Sequence, residues 1–153
     1  NIDQVIVGMG PGPFTGLRTG IVFAQSFAFA QGLPVHGVCS LDAIAHGIDL
    51  PEFIVATDAR RKELYWAQYE NGIRQGEPAV NKPAELSELF PQGNFVGPGV
   101  ALYSEVISGV DLLLSAGNLA HAFVQGKSPE LEVTPLYLRK PDADEPAPRK
   151  QVL

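Results

Sequence analysis

The chain has 153 residues, 45% of them hydrophobic and 18% charged, with a formal net charge of −6. That length and core content fit one ordinary globular domain or two small ones. The acidic balance argues against a surface that grips nucleic acid by itself, because such binding needs a basic patch to displace counterions.

Residues 5–8 read as a strand, followed by a loop rich in glycine and proline and then a helix over about 16–31. Thr15 is placed to cap that helix, and Gly32-Leu33-Pro34 ends it. Residues 35–39 read as a second short strand and 41–46 as a short helix with Ser40 as its N-cap. This βαβα run predicts an α/β layer architecture. A strand–turn–helix unit of this kind is usually embedded in a sheet with neighbours on both sides, so upstream sequence is expected to be missing.

Asp49-Leu50-Pro51 resets the pattern. Residues 53–57 and 63–70 read as strands joined by Asp58-Ala59-Arg60-Arg61-Lys62. In the second of them Tyr65, Ala67 and Tyr69 share one face, and Leu64, Trp66 and Gln68 the other. A further strand is expected within 73–80, then a helix opened by Pro83, a short strand at 95–96 and a turn at Gly97-Pro98-Gly99. Helices over 100–107 and 116–125 follow. Residues 139–153 are proline-rich, charged on both signs and expected to be flexible. The single cysteine, Cys39, excludes an internal disulfide and fits a reducing, cytoplasmic setting. No stretch reads as a signal peptide or reaches the length of a membrane span; 21–30 is interrupted by Gln25 and Ser26.

The loop Gly8-Met9-Gly10-Pro11-Gly12-Pro13-Phe14-Thr15-Gly16 invites comparison with phosphate loops, and it fails each template. A Walker A loop needs Lys and Ser/Thr after its last glycine, where Leu17 and Arg18 stand. A dinucleotide fingerprint needs glycine at 13 or 15, where proline and threonine stand. Pro11 and Pro13 remove two N–H donors that a nest of amides would use. The loop reads as a rigid structural turn.

The helix behind it carries Gly16, Gly20, Ala24 and Ala28 every four residues, a stripe without bulk along which another backbone can approach. Because the helix is apolar nearly all round, it must be covered on more than one side. Two readings stand: burial within its own domain, or one face on the sheet and another against a partner subunit.

Together, "GMGPGPFTGLRTGIVFAQSFA", "VHGVCSLDAIA", "DARRKELYWAQY" and "PLYLRK" resemble, in order and over nearly the whole chain, the TsaB family, also called YeaZ. That family was formerly catalogued with the M22 glycoproteases. Departures are small: Pro13 stands where the family usually has serine, and Lys62 where glycine is common. The resemblance implies an α/β fold of the actin-like/Hsp70 ATPase (RNase H-like) type with two subdomains. Residues 1–48 would be the remainder of an incomplete first subdomain, 49–138 the second, and 139–153 a tail.

The resemblance further implies a role in forming N6-threonylcarbamoyladenosine at position 37 of tRNAs that read ANN codons. The chain would act as a non-catalytic partner of the paralogue TsaD, with the ATPase TsaE joining and TsaC supplying the threonylcarbamoyl adenylate. A homodimer would form when TsaD is absent, and tRNA would be met only through the complex. The expected contact comprises Gly16, Leu17, Gly20, Ala24, Phe27 and Ala28, so Ala24→Leu or Gly20→Leu should disrupt association by overpacking.

No catalytic or metal-ligating set is identified. His36, His46 and His121 stand far apart without metal-ligand spacing, and Cys39 and Ser40 have no recognisable base. No resident cofactor is expected, although ATP or ADP could lodge at a subunit boundary. The phosphate-facing candidates are Gly10, Gly12, Asp58, Arg60, Gly97 and Gly99, with Asp58 also suited to capping its own turn. The alternative readings are an actin-like ATPase and an M22-type peptidase.

Overall fold

A computed structural model describes residues 1–139. Its elements run β1 (Val5–Gly8), α1 (Phe14–Gln31), β2 (Val35–Val38), α2 (Ser40–Ala45), β3 (Glu52–Asp58), β4 (Leu64–Glu70) and β5 (Ile73–Asn81). Then come α3 (Pro83–Leu89), β6 (Phe95–Val96), α4 (Pro98–Leu102), β7 (Gly109–Val110) and α5 (Ala116–Val124). Apart from Arg139, the proline-rich tail lies outside the described residues.

Strands β1 and β2 pair in parallel, and the other five form a sheet ordered β5-β4-β3-β6-β7. Within it β3, β4 and β5 are antiparallel while β3, β6 and β7 are parallel. The alternation along β4 is real: Ala67 and Tyr69 enter a core with Phe53, Val55 and Val96 beneath Cys39, Leu41 and Ile44 of the α2 region. Leu64 and Trp66 join the opposite layer with Leu86 of α3 and Val100 of α4. The larger sheet is therefore covered on both faces, the usual requirement where parallel strands occur. After α5, which packs on α2 and β1, the chain runs back along the small sheet, where Leu131 N–H donates to Gly37 carbonyl at 2.7 Å.

Several local expectations need correction. Thr15 does not cap α1: the helix begins at Phe14, two residues earlier than expected, with Pro13 at its N-cap, and no side chain caps it. Its end is as expected, with Gly32 at φ 64° accepting the left-handed geometry that glycine adopts without strain. Ser40 is likewise the first helical residue rather than the cap, a position held by Cys39. The helix expected over 100–107 is instead the short α4, opened by Pro98. Gly97 precedes it at φ 117°, and a Cβ there would sit 2.6 Å from Ala56 carbonyl, so the position calls for glycine on both counts. Strand β7, two residues long, carries too little pattern to be read from sequence.

Candidate functional site

The loop between β1 and α1 is fastened to its own chain. Met9 N–H donates to Val38 carbonyl at 2.8 Å, and Leu136 N–H donates to Met9 carbonyl at 2.7 Å. Gly10 N–H donates to Ser40 Oγ at 3.1 Å. A Cβ on Gly10 would come 3.0 Å from Leu136 carbonyl and 3.1 Å from Leu17, and its φ is 103°. Gly10 is thus glycine because the chain folds tightly upon it, and its amide is already engaged. Gly97 and Gly99 have the same explanation, since both press on Ala56 carbonyl.

Gly12, Asp58 and Arg60 do come together. They line a cleft with two adjoining lobes. One, of about 210 Å³, is bounded by Phe14, Tyr65, Arg61 and Arg139. The other, of about 280 Å³, is bounded by Ser40, Ile44, Pro98 and Leu114. Asp58 Oδ1 accepts Arg60 N–H at 2.8 Å, so the carboxylate shapes its own turn. Arg60, Arg61 and Lys62 follow with φ of 62°, 52° and 60°. Arg139 Nη1 donates to Ala59 carbonyl at 3.0 Å and its guanidinium pairs with Glu63, tying the hairpin to the end of the described chain.

The fold divides the small-residue stripe of α1. Ala24 and Ala28 are 6% and 0% exposed and pack inward with Ile21, whereas Gly16 and Gly20 are open, with nothing within 4 Å of a Cβ. Leu17 and Phe27 are half-buried. Bulk stands on the outer side instead: Val22, Phe23 and Phe29 are 60%, 70% and 90% exposed. Phe23 stacks on Phe27 with ring centroids 6.2 Å apart, beside the open glycines. The sequence singled out the stripe but could not assign which side each member faces, because apolar residues encircle the helix.

Two groupings escaped sequence reading. Asp42, 2% exposed, accepts Tyr69 Oη at 2.6 Å, Ser128 Oγ at 2.5 Å and Arg74 Nε at 3.0 Å. The only available signal was one carboxylate inside the otherwise apolar "LDAIA". His46 and His121 meet with ring centroids 5.8 Å apart, a pairing hidden by their separation in sequence. Burial, then the charges of His121 and Lys127, push the His46 pKa down, and its Nδ1 is buried without a partner among the described residues. His36 pairs instead with Glu130 at 2.7 Å. Among the described residues, no group of three or more His, Cys, Asp or Glu side chains is arranged to hold a metal ion. Nor is any helix long and apolar enough to cross a membrane.

Residues 1–146 match the family model for TsaD, tRNA N6-adenosine threonylcarbamoyltransferase. The chain is 42% identical to an uncharacterized protein of Mycobacterium tuberculosis, over 94% of this chain and 67% of that protein. It is 34% identical to the tRNA threonylcarbamoyladenosine biosynthesis protein TsaB of Escherichia coli, over 99% of this chain and 77% of that protein. Among solved structures, YeaZ from Pseudomonas aeruginosa superposes with a TM-score of 0.70 at 28% identity, covering 90% of this chain and 74% of that one. With this fold and these relatives, the chain belongs to the TsaB/YeaZ family and has its actin-like, RNase H-like α/β architecture.

Proposed function

We propose that this chain is a non-catalytic subunit of the cytoplasmic assembly that forms N6-threonylcarbamoyladenosine at position 37 of ANN-decoding tRNAs. It acts by packing the outer face of α1 against the catalytic paralogue TsaD, or against a second copy when TsaD is absent. TsaE joins that assembly, and ATP or ADP bound at a subunit boundary belongs to the same reading. The supporting observation is the set of exposed side chains Val22, Phe23 and Phe29 on one long helix. An apolar surface of this kind on a folded chain marks a protein contact, and aromatic residues are the usual energetic anchors of such contacts. Gly16 and Gly20 add a shallow trough beside the Phe23–Phe27 stack into which a partner side chain fits.

The peptidase alternative finds little support in the placement of its candidate nucleophiles. Cys39 is fully buried, and Ser40 Oγ accepts a backbone amide in place of standing beside a base. The test is isothermal titration of the full-length protein with TsaD, comparing parent and Phe23→Glu. The substitution is expected to weaken association by roughly 30-fold or more, the loss typical of an anchor residue. Parental affinity in Phe23→Glu would remove α1 from the interface. Turnover of ATP by the chain alone would overturn the non-catalytic reading.

A further inference from the structure

We propose that residues 141–148 of this chain seat in its own cleft, an intramolecular contact that keeps other ligands out. The cleft begins where the described chain stops. Arg139 lines its first lobe, where Nη1 donates to Ala59 carbonyl at 3.0 Å and the guanidinium pairs with Glu63. The run leading there is fastened every few residues. Ser128 Oγ donates to Asp42 at 2.5 Å, Leu131 N–H to Gly37 carbonyl at 2.7 Å and Leu136 N–H to Met9 carbonyl at 2.7 Å. Tyr137 Oη accepts Arg18 Nε at 2.6 Å, and its ring centre lies 5.0 Å from that of Phe14. A strap held this closely delivers whatever follows it to one place. Residues 140–153 follow Arg139, so they start their course at the mouth of the cleft.

The shape and lining of the cleft suit that segment. The two lobes share Gly12, Pro13, Asp58 and Arg60, so they form one groove running from Phe14 and Tyr65 to Leu114. The second lobe is mostly apolar and stiff, with Pro11, Pro13, Pro98, Ile44 and Leu114 in its lining. Leu114, 49% exposed, offers apolar surface that a further segment would cover. The sequence after Lys140 is Pro-Asp-Ala-Asp-Glu-Pro-Ala-Pro. Its prolines favour the polyproline II form, which rises about 3.1 Å per residue and places Pro146 within about 22 Å of Arg139. That reach takes Pro146 and Pro148 past the first lobe and into the second. Proline-rich segments dock in preformed grooves lined by aromatic side chains, because little entropy remains to be lost. A segment too polar to fold alone gains its order on such a surface. Each lobe alone, at about 210 and 280 Å³, falls short of the roughly 300–1,000 Å³ of sites that enclose a small ligand. An extended chain laid through both fits better than a molecule held in either.

The test is fluorescence anisotropy of a labelled synthetic peptide of residues 140–150 with two forms of the full-length protein. One is the parent; in the other, residues 141–148 are replaced by glycine and serine, which vacates the groove without creating a new terminus. The peptide should bind the replaced form saturably and the parent at least tenfold more weakly, because a tethered segment competes at a high effective concentration. Leu114→Glu in the replaced form should abolish that binding. So should Pro146→Asp/Pro148→Asp in the peptide, a change that leaves the protein and its folding untouched. No saturable binding to the replaced form, or equal affinity for both forms, overturns the proposal. Binding that survives both the Leu114 and the peptide substitutions overturns it too, since the segment then lies elsewhere. Gel filtration checks the remaining occupant: a parent dimer that becomes a monomer in the replaced form would assign the segment to the cleft of a second copy. Association with TsaD does not enter any of these readings, so failure of the α1 contact and failure of this one are separately visible.

Discussion

Gly10 and Ser40 hold each other in both directions: Gly10 N–H donates to Ser40 Oγ at 3.1 Å, and Ser40 N–H donates to Gly10 carbonyl at 2.8 Å. This reciprocal pair fixes the glycine–proline loop against the first turn of α2. It occupies the Gly10 amide, one of the donors that a phosphate cradle at this loop would need. Ser40→Ala would strand a buried amide, a change that costs about 1–3 kcal/mol. The urea midpoint of Ser40→Ala should fall accordingly, with the slope of the transition unchanged. An unaltered midpoint would show that the pair carries no weight.

Cys39 precedes that turn and is fully buried. Removal from water, followed by the nearby Asp42 carboxylate, pushes its thiol up to about 12. At pH 8 almost none of it is thiolate, the form that reacts. Ellman's reagent should therefore label the native protein only as fast as the chain opens, and at once in denaturant. A rapid native phase would restore Cys39 as a candidate nucleophile.

Much of this architecture was legible because strong local rules agreed. Val5 to Gly8, the opening of α3 at Pro83 and the left-handed stop at Gly32 all follow from chain stereochemistry within a few residues. Ser40 was misread for an instructive reason. A hydroxyl just before a helical run is ordinarily a cap, yet here a loop thirty residues earlier competes for it. The α1 stripe was found but not oriented, because only the sheet beneath Ala24 and Ala28 breaks the symmetry of an all-apolar helix.

The Asp42 cluster joins α2, β4, β5 and the segment after α5 through one carboxylate. Tyr69, Ser128 and Arg74 satisfy both of its oxygens, and the Arg74 side chain is itself only 7% exposed. Removing one member of a buried, hydrogen-bonded ion pair typically costs about 3–5 kcal/mol, since the remaining charge is left without compensation. Asp42→Ala should lose stability on that scale. Tyr69→Phe, which removes one donor to a charged acceptor, should lose about 1.5–3 kcal/mol. Denaturant unfolding of the two variants measures both, and a smaller loss for Asp42→Ala than for Tyr69→Phe would refute this ordering.

His46 provides a pH dependence of known sign. Its folded-state pKa is lowered, by burial first and then by His121 and Lys127, so the unfolded chain binds the proton more readily. The resulting contribution to stability is fully present above the unfolded value near pH 6.5 and is lost as pH falls below it. His46→Gln, which cannot take up the proton, should flatten the decline in thermal midpoint between pH 7 and pH 5 relative to the parent. Parallel profiles for the two proteins would exclude this histidine as the source.

Gly20 separates folding from assembly. It lies mid-helix on the open side of α1, with nothing within 4 Å of a Cβ, whereas Ala24 is 6% exposed against its own core. Ala24→Leu would therefore damage the fold and confound any binding result. Gly20→Leu replaces the poorest ordinary helix former but proline with a good one at an uncrowded position, which should stabilise the isolated chain by up to about 1 kcal/mol. The same side chain fills the trough beside Phe23 and Phe27, where a partner would need space, and overpacking of a close contact costs about 1–3 kcal/mol. Thermal unfolding should therefore rise while affinity for TsaD drops, in one substitution. Opposite signs are what a surface held open for a partner requires. If both quantities rise together, the trough is not part of the contact.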